Sequence, residues 1–273
     1  MTVTDDPVQE RQPLNMANYD FGDVLLVESD GPVRVVTMNR PAALNAFAGG
    51  LHEAIADVWA RIASDRDARA VVLTGAGRAF SAGGDIPGMA QQIADPEHRR
   101  HSMREARRLA DEVVRFHLPV VAAVNGPAVG LGATIAVMSD IVLIADTAFL
   151  ADPHVQVGLV AGDGGAAFWP LATSILRAKE YLLTGDRIPA DQAVALGLAN
   201  RVVPAAELMD EARRVAHKLA GLPPQAVQDT KRAINLHLAQ AARLVLDFSL
   251  AAEGESFTTD ELRHNVESFK AKS

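Results

Sequence analysis

The sequence predicts an α/β fold, with a mixed core of strands and helices followed by an all-helical C-terminal region. Short apolar runs rich in Val and Ile recur through the first half of the chain, as buried strands do. Segments with apolar residues at i, i+3, i+4 spacing separate them. From about residue 164 the pattern becomes mainly helical.

Taken in order, "VLLVES" and "VRVVTMN" flank "DGP" and predict a β-hairpin. "FAGGLHEAIADVWARIASD" puts Leu51, Ile55, Val58, Trp59 and Ile62 on one helical face. "AVVLTG" (70–75) and "PVVAAVNG" (119–126) read as buried strands, with the loop "AGRAFSAGGDIPGM" and an Arg-rich helix between them. "GATIAVMSD" is an apolar helix of about two turns, and "IVLIAD" is a strand directly after it. "PAAELMDEARRVAHKLAGLPP" aligns Leu208, Ala212, Val215 and Leu219 and stops at Gly221 before a proline pair. Three more helical stretches follow. A helical segment of about 65 residues is too long for a linker, so its apolar faces must bury against the core or another subunit. The expected division is a disordered tail over 1–15, a core carrying the active site over 16–204, and a helical region over 205–273.

A chain of 273 residues with 49% hydrophobic and 22% charged residues has the composition of a soluble globular protein. The absence of cysteine excludes disulfides, thiolate metal sites and a cysteine nucleophile. The N-terminal residues lack a signal-peptide pattern, and no apolar run is long enough to span a bilayer, so a cytoplasmic protein with no membrane partner is expected. A net charge of −8 argues against nucleic acid as a partner. In "HRRHSMREARR" the residues Arg100, Arg104 and Arg108 form one helical stripe, either a solvated face or a contact for a phosphate-bearing ligand. The histidines form no cluster with metal-ligand spacing beyond "HRRH", and no metal is expected.

Two glycine-rich stretches sit where backbone N–H groups lack partners. In "RAFSAGGDI" (78–86), Gly83 and Gly84 allow a tight turn and close approach of a ligand, while Asp85 is suited to cap the next helix. In "NGPAVGLGATIAVMSD" (125–140), Gly130 and Gly132 bracket Leu131 at the positive end of a helix dipole. Two such amides aimed at one point would form an oxyanion hole. Neither stretch matches the dinucleotide or nucleoside-triphosphate glycine patterns, and Ser81 lacks the GxSxG elbow of a hydrolase nucleophile. Further on, "DPHVQVGLVAGDGG" (152–165) sets His154 nine residues before Asp163. The pair reads as a catalytic dyad or as two polar residues where a strand meets a loop.

In that order, "MNRPAALNAF" (38–47), "GRAFSAGGDI" (77–86), "AAVNGPAVGLGATIAVMSDIVLIAD" (122–146) and "VGLVAGDGG" (157–165) resemble the enoyl-CoA hydratase/isomerase (crotonase) superfamily. The resemblance implies a crotonase-like spiral of ββα turns and a homo-trimer or hexamer assembled through the C-terminal helices. It implies an acyl-CoA substrate bound in a bent shape, with coenzyme A as part of the substrate and no separate cofactor. The thioester oxygen would be held by the amides of Gly84 and Leu131, with Leu44, Ala82, Gly83, Asp85, Ile86, Gly130 and Thr134 around the substrate.

The sequence departs from that pattern where it matters chemically. Hydratases of the superfamily carry two glutamates that handle water and proton; here their positions hold Thr134 and His154. A threonine hydroxyl cannot act as that base, whereas an imidazole titrates near neutral pH. Asp163 could orient the ring, as the third member of a triad does. The same His and Asp spacing resembles 6-oxocamphor hydrolase, a superfamily member that cleaves a carbon–carbon bond of a cyclic β-diketone without CoA. In that resemblance Glu253 is a further active-site acid and His52 a possible participant. Many members carry a lysine for the nucleotide phosphate where this chain has Pro87; Arg100, Arg104, Lys270 or Lys272 would have to replace it. Three functions follow: acyl-CoA enolate chemistry with His154, CoA-independent cleavage of a 1,3-diketone, or acyl-CoA binding or scaffolding without turnover.

Overall fold

The computed structural model describes residues 19–270, so the tail expected over 1–15 lies outside the described residues. The hairpin forms as its pattern predicts: β1 (Leu25–Asp30) pairs antiparallel with β2 (Val33–Met38), Leu25 opposite Met38. β3 (Ala70–Gly75) and β4 (Val120–Val124) then extend the sheet in parallel, and every residue of both is buried. Burial on both faces explains why these runs are apolar throughout and do not alternate. From β4 to β7 successive strands alternate between two sheets, and β8 stays in the second before β9 returns to the first. β5 (Ala128–Val129) and β7 (Phe149–Ala151) enter a small sheet with β8 (Ile188–Pro189), while β6 (Ile141–Ala145) and β9 (Arg201–Val203) complete the large one. The large sheet runs β1-β2-β3-β4-β6-β9.

Helices close each turn. α1 (Leu51–Ser64) buries all five residues expected on its inner face, and α2 (Ile86–Ala94) and α3 (Pro96–Arg115) follow β3. α4 (Leu131–Met138) follows β5, and α5 (His154–Val157), α6 (Gly165–Ala172) and α7 (Ile175–Thr184) follow β7. α8 (Ala190–Leu196) links β8 to β9. The C-terminal region comprises α9 (Leu208–Ala220), α10 (Pro224–Ala241), α11 (Asp247–Ser256) and α12 (Asp260–Lys270), with a π-helical turn at Ala242–Leu246 between α10 and α11.

The mainly helical chain beyond residue 164 also holds β8 and β9. Strands of two and three residues are too short to display a period. Of the two surfaces the helical region could bury against, α9 uses the core: Leu208, Ala212, Val215 and Ala216 are buried, and α9 packs on β3 and β4. The helical region folds back on its own core at α9 and again at α11. α10 differs, leaving Ile234 and Leu236 exposed. The Arg stripe of α3 is a network of ion pairs, with Arg100 and Arg104 on Glu97, and Arg108 on Asp57 and Glu105.

Candidate active site

Three loops are laced together beside a cavity of about 400 Å³. The segment following β2 turns at Leu44 and Asn45, both with positive φ, and the Asn45 side chain accepts from Arg40 N and donates to the carbonyls of Ala76 and Ala79. That turn is tied to the first glycine stretch: Ala82 N donates to Leu44 O (2.9 Å) and Phe47 N to Gly83 O (2.8 Å). The second glycine stretch docks on the first through Val129 N to Ser81 O (2.9 Å). Glycine is required at both contacts. A Cβ on Gly83 would lie 2.7 Å from Val129 O, and one on Gly132 would lie 2.7 Å from Ser81 Cβ. Gly84 and Leu131 therefore come to line one cavity. Among the described residues, neither amide has an acceptor. Asp85 caps α2 as its sequence context predicts, accepting from Gly88 N at 2.7 Å.

The same cavity holds a buried group of ionisable side chains. His154 does not end a strand; it opens the one-turn helix α5 directly after β7. Its Nε2 faces Asp163 Oδ2 at 3.5 Å, and its Nδ1 is in close contact with Asp152 Oδ1. Glu253 reaches the same cavity from α11 with 5% of its surface exposed. Burial alone would depress His154, but the Asp152 and Asp163 carboxylates outweigh it and hold the imidazole charged well above the usual histidine range. Burial pushes Asp163 up to about 6, with His154 pulling it down and Asp152 adding to the rise. Burial, reinforced by Asp163, pushes Glu253 up to about 8. At neutral pH the group thus holds a charged imidazole and a neutral Glu253.

The sequence matches the enoyl-CoA hydratase/isomerase family over residues 28–273. A short-chain-enoyl-CoA hydratase of Clostridium acetobutylicum is 35% identical over 91% of this chain and 95% of its own length. Among solved structures, an enoyl-CoA hydratase/isomerase from Mycobacterium paratuberculosis superposes with a TM-score of 0.89 at 50% identity, covering 92% of this chain and all of the other. A β-diketone hydrolase from the cyanobacterium Anabaena sp., bound to (S)-3-oxocyclohexyl acetic acid, superposes with a TM-score of 0.81 at 30% identity over 91% and 98% of the two chains. The chain belongs to the enoyl-CoA hydratase/isomerase family. Its crotonase fold and its standing as an enzyme of that family follow.

In this family member the structure gathers only part of the expected set. Gly84, Asp85, Leu131, His154, Asp163 and Glu253 line the cavity, and so does His52. Leu44, Ala82, Gly83 and Gly130 lie behind that lining and hold the loops in place. Ile86 packs with Leu159, Phe257, Leu262 and Val266 in a small separate apolar cluster. Thr134 is fully buried, and its hydroxyl has no partner among the described residues. Arg100 and Arg104 are bound to Glu97, and Lys272 lies outside the described residues.

Asp152 is the residue that sequence reasoning passed over. Its signal was present: an acid two positions before His154, with Pro153 restricting the link. Asp152, His154 and Asp163 bring ligand atoms within 4.8 Å of one another, a spacing that also suits a cation. With a carboxylate on each ring nitrogen, however, the arrangement favours an imidazolium, which has no lone pair for a metal.

Proposed function

We propose that the chain processes acyl-CoA thioesters through an enolate. The Gly84 and Leu131 amides take the thioester oxygen, and His154, shared with Asp163, moves the proton that superfamily hydratases move with glutamate. One observation carries the reading: the buried imidazole between two carboxylates lines the same cavity as the two unpaired amides. A cavity of about 400 Å³ falls in the range of small-ligand sites. No separate cofactor is required, because coenzyme A arrives as part of the substrate.

A second reading, hydrolysis of a cyclic 1,3-diketone, has its own support. The grouping of His154, Asp163 and Glu253 accompanies a likeness to a solved β-diketone hydrolase. In that reaction Asp163 takes a proton from the water that adds to one carbonyl, the carbon–carbon bond breaks, and its electron pair enters the enolate of the other carbonyl. A proton from His154 to the α-carbon completes the ketone, and the proton held by Asp163 passes back to Nε2.

Calorimetry with acetoacetyl-CoA, paired with NMR of α-proton exchange of butanoyl-CoA in D2O, separates the readings. Binding and exchange support the first; no binding together with consumption of a cyclic 1,3-diketone overturns it. His154→Gln retains hydrogen bonding without titration and should slow exchange roughly 100- to 10,000-fold, with affinity nearly intact. Unchanged exchange in that variant would remove His154 from the chemistry.

A further inference from the structure

We infer that Asp152 is the positioning residue of His154, fixing the ring through Nδ1 so that only Nε2, which faces Asp163, exchanges protons. The inference rests on the reading of His154 as the proton carrier. Asp152 has no exposed surface. One oxygen, Oδ1, meets the ring at Nδ1 and also lies 3.4 Å from the His154 backbone N–H, so a single carboxylate ties both the ring and the start of α5. Its other oxygen, Oδ2, lies against Gly165, where a Cβ would collide with it. The glycine opening α6 thus leaves room for the carboxylate. On the other side of the ring, a Cβ on Gly130 would stand 3.3 Å from His154 Cε1. The residue capping α4 and the first residue of α6 therefore bound the space in which Asp152 and the ring sit.

The charged or titratable groups that act on the ring are Asp152 from the loop after β7, Asp163 from the loop before α6, and Glu253 from α11. Of these, only Asp152 is in close contact with Nδ1. Asp163 stands across Nε2 at 3.5 Å and lines the cavity, whereas Asp152 does not. The division of labour expected from the sequence is thereby reversed. Asp163 is on the reacting side, and Asp152 does the orienting. A carboxylate at Nδ1 keeps a proton there in both ring states, which leaves Nε2 as the nitrogen that gains and loses one.

A merely structural Asp152, a cap for α5, would lower stability on replacement and leave the ring's titration alone. Asp152→Asn tests this. Expected are a His154 ring titration, followed by NMR at Cε1–H, that moves to lower pH, and butanoyl-CoA exchange slowed on the order of 100-fold with KM within about twofold. An unmoved titration with unchanged exchange overturns the inference. If the titration moves but neither protein exchanges butanoyl-CoA, the Asp152 assignment stands and the acyl-CoA reading fails. Should Asp152→Asn not fold, the unmodified protein decides. A far-downfield Nδ1 proton that is lost in His154→Gln supports the assignment, and a rapidly exchanging Nδ1 proton overturns it.

Discussion

Gly162→Ala offers a test of how tightly the C-terminal helices are coupled to the site. The glycine packs against α11: a Cβ would stand 2.6 Å from Glu253 Oε2 and 2.7 Å from Glu253 Cβ, and would also collide with Ser249 O. Its φ is not positive, so the penalty is steric and not conformational. The carboxylate oxygen could rotate away, but Ser249 O and Glu253 Cβ are fixed to the helix. Restoring ordinary contact, 3.4 Å or more, from 2.4 Å at Ser249 O moves α11 by about 1.0 Å. Overpacking of this kind costs about 1–3 kcal/mol. In a protein of this size each kcal/mol lowers the melting temperature by about 2–4 °C. The displacement also carries Glu253 away from Asp163 and His154, and misplacement approaching 1 Å lowers turnover by up to about 100-fold. Thermal unfolding and butanoyl-CoA exchange on the same preparation measure both effects. Gly84→Ala is the steric contrast, since its Cβ would meet only the mobile Met89 Cε at 3.3 Å. A Gly162→Ala protein that melts and turns over like the parent would refute the coupling.

Gly84→Pro removes one proposed oxyanion donor and should lower turnover on the order of 100-fold or more, whereas full activity in the folded variant would dismiss the oxyanion hole. Glu253, held up to about 8 against an ordinary 4.5, keeps a proton in the folded state that the unfolded chain releases. Its contribution to stability is present at low pH and is lost as pH rises toward 8, so Glu253→Gln should narrow the difference in melting temperature between pH 5 and pH 8. An unchanged difference would place Glu253 in a wetter setting. Leu176, Leu183, Leu244 and Phe248 are exposed by 76%, 70%, 79% and 78%, and sedimentation should show a trimer or hexamer; a stable monomer at micromolar concentration counts against it.

What was legible in the sequence follows from length and burial. β3 and β4 announced themselves because complete burial makes a run uniformly apolar, and α1 did so because a long amphipathic helix repeats its pattern several times. β5, β7, β8 and β9 were not legible, since strands of two or three residues are held by their neighbours more than by their own side chains. The catalytic side of the site was only half legible. His154 and Asp163 stood out by position, but no spacing rule says which ring nitrogen an acid will meet, and Asp152 at i−2 passed for part of a turn. Thr134 shows the opposite limit: its place beside the glycine turn suggested contact with substrate, yet it is fully buried with its methyl against Gly164, just before α6.

The charge balance of the cavity bears on which chemistry it can favour. With Glu253 neutral and His154 charged, two carboxylates oppose one cation, so the buried group is net negative before any substrate charge develops. An enolate oxygen placed among these groups would be repelled by Asp163 and Asp152 unless it were turned toward neutral dipoles. The amides of Gly84 and Leu131, on the glycine turns that line the same cavity, are dipoles of that kind and add no further charge to a crowded site. On the proposed reading, the oxygen belongs on the amide side and the reacting carbon on the side of Nε2. The same two carboxylates that oppose the oxyanion raise the imidazole's proton affinity; they slow the release of its proton to carbon but ensure that His154 regains one after giving it up. That arrangement makes His154 a restored acid after each turnover, a role a glutamate with an ordinary carboxylate pKa could not fill at neutral pH.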